Sequence, residues 1–387
     1  MKNYFRSLSY AILLMFSLSA ILPIAARAES GITDSEILLG VSNAQSGPAE
    51  ALGKGVSTGL SVYFDKINKA GGVHGRTVKL ITTDDKYEPS AAIKNTEQLL
   101  NEDKVFALIG YVGTPTAKAV TPLISREKAP FIAPFTGAEF LRSPVLPTVF
   151  NLRSSYNDEM EAIVAQLVDQ KHLKHIALFM QNDSYGQAGE SGLNAALEKR
   201  DMSISTVGTY ERNTTDVTDA LTILRSANPD AIVMVGTYKA CAELMKQAKE
   251  SGMNPIFVNI SFVGTSALIK ASGEFGEGSY VSQVLPSPYS SDLQIVKEYR
   301  DDMTAAGKAD LIDYTSLEGY VQAAMFTKAM DAAGDDITRT GLIKSLNSLD
   351  VDLGGLTLKF TPDDHQALDK VYLTKLVGGK PETVEGF

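Results

Sequence analysis

The chain has one cysteine and no tryptophan among its 387 residues. The lone Cys241 cannot close an intramolecular disulfide or build a cysteine metal cluster, and its surroundings make it a helix residue facing the core. Histidine is scarce too, with four in all. His172 and His175 flank a helix-to-strand junction and read as a solvated pair before a metal site. His74 lies in a Gly-Gly-Val-His-Gly turn and His365 in an acidic turn, neither beside a serine or cysteine placed as a nucleophile. There is no G-x-x-x-x-G-K-[ST] phosphate loop, no G-x-S-x-G and no H-E-x-x-H. Gly53-Lys54-Gly55 with Gly59 misses the dinucleotide fingerprint by one residue and does not directly follow a strand. Asp84-Asp85 end a strand where two carboxylates suit acid–base work, but capping the helix before Pro89 is the simpler role. These absences exclude the familiar catalytic classes. Neither an enzyme nor a bound metal or cofactor is expected.

Long apolar runs are also lacking, except at the start. Residues 1–28 have a basic opening (Lys2, Arg6), an apolar stretch and Ala26-Arg27-Ala28 as a cleavage site, the layout of a secretory signal peptide. The stretch is short for a spanning helix, and no later segment approaches about 18 uninterrupted apolar residues. An uncleaved anchor is the alternative. No cysteine stands near the cleavage site to carry a lipid. Cleavage leaves 359 of the 387 residues, enough for two lobes. The leader carries three basic and no acidic residues, so the formal net charge goes from −10 to −13 on its removal. That balance argues against nucleic acid and anionic membrane as partners, and leaves any anion to be held by local dipoles.

What is present is a regular alternation. From Ser35 onward, strand and helix patterns succeed one another: 36–44 strand, 52–70 helix, 77–83 strand, 90–101 helix, 105–111 strand. Such β-α units imply a mostly parallel sheet with helices on both faces, an α/β fold. Near Phe150 the rhythm restarts, with strands at 175–180, 203–210, 231–236 and 256–259 between helices. Two sets of similar size indicate two lobes. After Ser282 an extended linker leads to three helical stretches with too few strands for a third sheet, so the chain is expected to return to the first lobe. Two strand-like runs, 356–360 and 371–377, close it.

Residues 105–139 carry the functional signal. An apolar run ends in Gly113, Thr114 and Pro115: a turn residue, an N-cap hydroxyl and a proline at the first helical position. A second run, 130–134, ends in Phe135-Thr136-Gly137-Ala138-Glu139, where Thr136 and Glu139 have capping-box spacing. Either turn alone is as well explained as a helix cap. Two in succession, on neighbouring strands, favour one carboxyl edge that offers N–H groups and hydroxyls to an anionic or polar small ligand.

At Ser46-Gly47-Pro48, residues 68–75 (NKAGGVHG), Asp84-Asp85, residues 105–116, residues 135–139, residues 182–186 (NDSYG) and residues 316–320 (SLEGY), the chain resembles the periplasmic branched-chain amino-acid-binding proteins. These are type I solute receptors of ABC transporters. Each motif is weak alone, but the series runs in order over the whole mature chain. The resemblance implies two doubly wound parallel-sheet lobes joined by three crossings, near 153–156, 281–286 and 356–361, closing like a hinge. The expected division is 1–28 leader, 29–153 first lobe, 154–282 second lobe, 283–356 return to the first, and 357–387 final crossing and tail of the second. It further implies a periplasmic, monomeric receptor that passes a small molecule to an inner-membrane ABC permease. A clamshell sensor signalling to a membrane partner is the alternative.

By the same resemblance, Thr114 holds a ligand carboxylate. Phe135, Thr136 and Gly137 add main-chain and hydroxyl contacts, Tyr185 and Tyr238 close from the second lobe, and the turn at Ser46 precedes a covering position, here Leu52. One departure stands out. Amino-acid-binding members place an acid after the 256–259 strand to pair with the ligand ammonium, and here that position falls at about Ser261. A buried ammonium without a partner costs several kcal/mol. Either Glu50 or Asp183 substitutes, or the ligand is no α-amino acid; relatives of this fold carry amides, urea and aromatic acids.

Overall fold

The computed structural model describes residues 29–386; the expected leader lies outside the described residues. Two sheets of one winding carry the chain. In the first, β1 (Glu36–Asn43), β2 (Thr77–Asp84), β3 (Ala107–Ile109), β4 (Phe131–Ile132) and β5 (Val149–Phe150) lie parallel in the order β2-β1-β3-β4-β5. In the second, β6 (Ile176–Gln181), β7 (Val207–Tyr210), β8 (Ala231–Val235), β9 (Ile256–Asn259) and β10 (Tyr280–Gln283) are parallel in the order β7-β6-β8-β9-β10. After the hairpin β11 (Asp350–Asp352) and β12 (Thr357–Lys359), the antiparallel strands β13 (Tyr372–Val377) and β14 (Lys380–Val384) extend the second sheet beyond β10. Strand order reverses between β1 and β3, and again between β6 and β8. Each reversal opens a crevice at the carboxyl edge of its sheet.

The helices are α1 (Glu50–Lys69), α2 (Pro89–Asn101) and α3 (Thr114–Glu127) in the first lobe, and α4 (Tyr156–Val164), α5 (Ser184–Glu198), α6 (Thr218–Ala227), α7 (Tyr238–Glu250) and α8 (Thr265–Ser272) in the second. Then come α9 (Gln294–Ala305), α10 (Tyr314–Ala333) and α11 (Arg339–Leu346). Strand alternation sorts the first lobe into two cores: Leu108, Phe131 and Val149 face α2 and α3, while Ile109, Ile132 and Phe150 join the core shared with α1 and α10. Cys241 is buried on α7.

The three late helices do return to the first lobe, where α10 packs along α1 and Arg339 bonds the Val105 and Phe106 carbonyls. The last connection to β13 follows β12 through residues 360–371, with Asn151 bridging to Gln366. Two differences from the sequence reading have local causes. The strand expected over 105–111 pairs only at Ala107–Ile109, because Gly110 at φ +69° turns the chain. β10 reads as polar, yet Ser282 and Gln283 are fully bonded inside, to Glu159 and to Thr265 and Thr374.

Of the glycines resembling a nucleotide motif, Gly53 packs on the Ala44 backbone after β1, while Gly55 and Gly59 face α10. A Cβ on Gly59 would fall 1.9 Å from the Ser316 carbonyl of α10, and one on Gly319 would fall 2.2 Å from the Val56 carbonyl of α1. The two backbones touch. Gly59→Ala should therefore lower stability by about 1–3 kcal/mol through overpacking, seen as a reduced urea midpoint with an unchanged slope.

Candidate functional site

The two carboxyl edges face each other. From the first lobe come the loop after β2, the α3 N-terminus and the turn after β4. From the second come the α5 N-terminus, the end of β7, the α7 N-terminus and the turn after β9.

On the first lobe, Gly113 at φ +111° is the N-cap of α3 and Thr114 is the first helical residue, so the helix starts one place earlier than the sequence suggested. The shift matters because Thr114 does not cap its own helix. Its hydroxyl instead meets that of Thr136 at 2.7 Å. The Thr136–Glu139 capping box does not form. Only a short 3-10 turn, Glu139–Leu141, follows, and Thr136 Oγ1 accepts from the Ala138 amide at 3.3 Å. The Tyr156 hydroxyl lies 3.5 Å from Thr114 Oγ1 and 3.4 Å from Thr136 Oγ1. Gly137 permits this: a Cβ there would sit 2.5 Å from Tyr156 Cδ1. Three hydroxyls thus converge at a helix N-terminus, whose first-turn amides and dipole favour negative charge.

From the second lobe, Tyr185 is fully buried, 4.6 Å ring to ring from Phe262 and 5.7 Å from Tyr156. Tyr238 reaches the Ala51 backbone of the first lobe. Leu52 is fully buried under Gly264 of the second. Thr114, Phe135, Thr136, Gly137 and Tyr185 are therefore brought together, while Leu52 and Tyr238 each meet the facing lobe. Ser46 is not in this group; its hydroxyl donates to Asp84 at 2.5 Å.

Ser261 does not leave its position without an acid. Glu159, from the first turns of α4, accepts from the Ser261 amide (2.8 Å), the Ser261 hydroxyl (2.9 Å) and the Ser282 hydroxyl (2.5 Å). Neither expected substitute takes the role. Asp183 caps α5 through the Tyr185 amide and pairs with Arg212 at 3.2 Å. Glu50 is exposed, paired with Lys54 at 2.7 Å, and lines a groove of about 770 Å3 between α1, α8 and residues 308–316. Glu318 of α10 holds Arg153 (3.1 Å), whose Nη2 also donates to Ser261 Oγ at 2.9 Å. Burial works against the Arg153 charge, but Glu318 and Glu159 outweigh it and raise the pKa. Its guanidinium lies 4.2 Å over the Phe135 ring.

Sequence reasoning missed Tyr87, Tyr156 and Phe262. Tyr87 is fully buried, and both it (φ +61°) and Lys86 (φ +55°) are left-handed, which costs a non-glycine residue energy. Asp85 Oδ1 holds the Tyr87 amide at 2.8 Å. The ring presses on Gly113, where a Cβ would fall 2.3 Å from Tyr87 Cε2. Across the cleft, Gln181 Nε2 donates to the Tyr87 hydroxyl at 3.3 Å, and Tyr210 donates to Gln181 Oε1 at 3.1 Å. Nearby, Glu88 takes Arg212 (3.0 Å) and Asn213 (2.6 Å) from the second lobe. The available signal was an aromatic three residues past the end of β2 on the binding edge. Away from the cleft, His175 is exposed and 3.7 Å from Asp230, while His365 is buried and stacks on Phe150 at 4.1 Å.

Two like-wound lobes that meet at their carboxyl edges, with neutral hydroxyls and rings between them, make a ligand clamp. Residues 36–380 match the sequence profile of the periplasmic binding proteins. The chain belongs to that family. A possible leucine/isoleucine/valine-binding protein from Rhodopirellula baltica SH 1 is similar in structure, with a TM-score of 0.86, 36% identity and coverage of 90% of this chain and 96% of that one. The fatty acid ABC transporter substrate-binding protein of Thermomonospora curvata shares the fold, with a TM-score of 0.84, 24% identity and coverage of 92% and 93%. In sequence, the leucine-, isoleucine-, valine-, threonine- and alanine-binding protein of Pseudomonas aeruginosa (strain PAO1) is 22% identical over 320 residues, 82% of this chain and 84% of its own. The family is one of solute-binding receptors, not enzymes, and this chain is one of them. Among the described residues, no helix is long and apolar enough to cross a membrane.

The two aspartates of the cleft loop serve neither acid–base chemistry nor the cap of α2. Burial would raise Asp84, but hydrogen bonds from Ser46 and from the Lys86 and Gln45 amides outweigh it and lower its pKa. Asp85 is fully enclosed, and burial pushes its carboxyl up to about 7. The folded state thus binds this proton more tightly than the unfolded chain between the ordinary carboxylate value and about 7. Stability from this group is full below that window and is lost as pH rises through it. Asp85→Asn should flatten the decline in urea midpoint between about pH 4 and pH 7, removing a slope worth on the order of a few kcal/mol.

Proposed function

We propose that this protein is an exported receptor, cleaved after residue 28, that captures a small carboxylate in the interlobe cleft and delivers it to an inner-membrane ABC permease as a monomer. The observation that carries the ligand class is the hydroxyl trio of Thr114, Thr136 and Tyr156 at the α3 N-terminus. Hydroxyl donors and a helix dipole suit a carboxylate without a buried counter-charge. The acids around the cleft are engaged: Glu159 by Ser261 and Ser282, Asp183 by Arg212 and the Tyr185 amide, Glu318 by Arg153. An α-ammonium closed into this cleft would compete for one of them and lose its hydration. This favours an acid or amide without the ammonium, although the Pseudomonas relative is named for amino acids.

A thermal-shift screen of a metabolite library identifies the ligand. Thr114→Ala should then cost about 1–3 kcal/mol of binding, the loss of one charge-assisted hydrogen bond, in calorimetric titration of that hit. Since Thr114 does not cap α3, melting should stay near wild type, and an unchanged affinity would remove the carboxylate assignment. Leucine titrated beside its deaminated analogue 4-methylpentanoate tests the ammonium. The analogue should bind more tightly. Micromolar or tighter leucine binding that Glu50→Gln abolishes would show that Glu50 reaches the cleft after all.

A further inference from the structure

Five aromatic rings meet where the lobes close, two from the first lobe (Tyr87, Phe135) and three from the second or its crossing (Tyr156, Tyr185, Phe262). Phe262 is the hub, with ring centres 6.1 Å from Tyr87, 5.5 Å from Phe135 and 4.6 Å from Tyr185. Their planes are tilted by 36°, 48° and 51°, and Tyr156–Tyr185 by 50°. Aromatic pairs buried in the first lobe stand edge to face instead, Tyr63–Tyr320 at 87°, Phe64–Phe326 at 83° and Tyr111–Phe131 at 81°. Edge-to-face and offset-stacked pairs satisfy the ring quadrupole, whereas tilted pairs form wedges whose faces diverge. The cleft rings are buried with the core, yet none of these four pairs takes the edge-to-face geometry of the first-lobe pairs.

Tyr87 adds chemistry to shape. Its left-handed backbone is held by the Asp85 carboxylate and its ring packs on Gly113, so the ring is presented at the cleft at an energetic cost. Its hydroxyl accepts from Gln181, and among the described residues no acceptor takes the phenol proton. A buried hydroxyl with an unused donor is a recognition group, because a ligand that supplies no acceptor leaves it unpaired.

We propose that the ligand of this cleft is a small carboxylic acid with a flat aromatic body, and that Tyr87 and Phe262 select that body by taking it into the ring wedge. The proposal rests on reading the interlobe cleft as the carboxylate site. The carboxylate sits at Thr114 and Thr136, and the ring lies between lobe-one and lobe-two aromatics, so binding and closure use the same surfaces. A polar substituent on the ring meets the Tyr87 hydroxyl.

Matched pairs test this on the full mature protein by calorimetry: phenylacetate against 4-methylpentanoate, and phenylalanine against leucine. The aromatic member of each pair that binds should be favoured at least tenfold. Phe262→Leu, on an unstrained turn, and Tyr87→Leu should each bring that ratio close to one. Tyr87→Phe should keep the preference for phenylacetate over 4-methylpentanoate while weakening 4-hydroxyphenylacetate several-fold relative to phenylacetate. Equal or tighter binding of the aliphatic members overturns ring selection while leaving the carboxylate site intact. A preference that survives both leucine variants shows that the rings only seal the lobes, and also overturns it. If none of the acids binds, both the carboxylate reading and this one fall.

Discussion

Arg153 carries a full charge into the interior, between a helix of one lobe and a turn of the other. A guanidinium survives there only if carboxylates and hydrogen bonds replace its hydration, since breaking such a pair costs several kcal/mol. Glu318 of α10 supplies the first partner and Ser261 the second, while Glu159 fixes Ser261 from behind. One side chain on the first crossing thereby connects the returning helix, the turn after β9 and the binding-edge ring of Phe135. The positions of Phe262 and Thr136 relative to each other depend on this network, because Phe262 follows Ser261 directly and Phe135 precedes Thr136.

The same economy shapes the cleft. Carboxylates near it are committed to holding loops and lobes, so the groups left to face a ligand are neutral hydroxyls, aromatic faces and helix-terminal amides. Interlobe contacts divide into a charged rim and an apolar floor: Glu88 with Arg212 and Asn213 at the rim, and the rings around Phe262 on the floor. Rim pairs near solvent contribute little stability each. Most of the closing free energy therefore lies in the floor, where apolar area is removed from water.

Local pattern alone was enough for the alternating β-α rhythm and the two lobes. Period-two and period-3.6 hydrophobicity are properties of neighbouring residues, and glycine, proline and hydroxyls at strand ends mark turns wherever the chain goes. Pattern failed where burial contradicts composition. β10 was invisible because Ser282 and Gln283 are polar yet internally bonded, and Gly55 and Gly59 of α1 resembled part of a ligand loop although they face α10.

Sequence could not pair residues distant in the chain, and the site is made of such pairs. Ser261 read as the loss of an acid, but Glu159, about a hundred positions earlier, is brought beside it by α4 packing under β10. Tyr87 carried no reading in the sequence, and only the facing lobe shows it as a buried ring with Gln181 on its hydroxyl. The sequence by itself determined which edge of each sheet offers donors, because strand ends and helix starts are local. The tertiary structure decided which acids remain to meet a ligand and which rings enclose it, because those depend on how two separately wound sheets face each other.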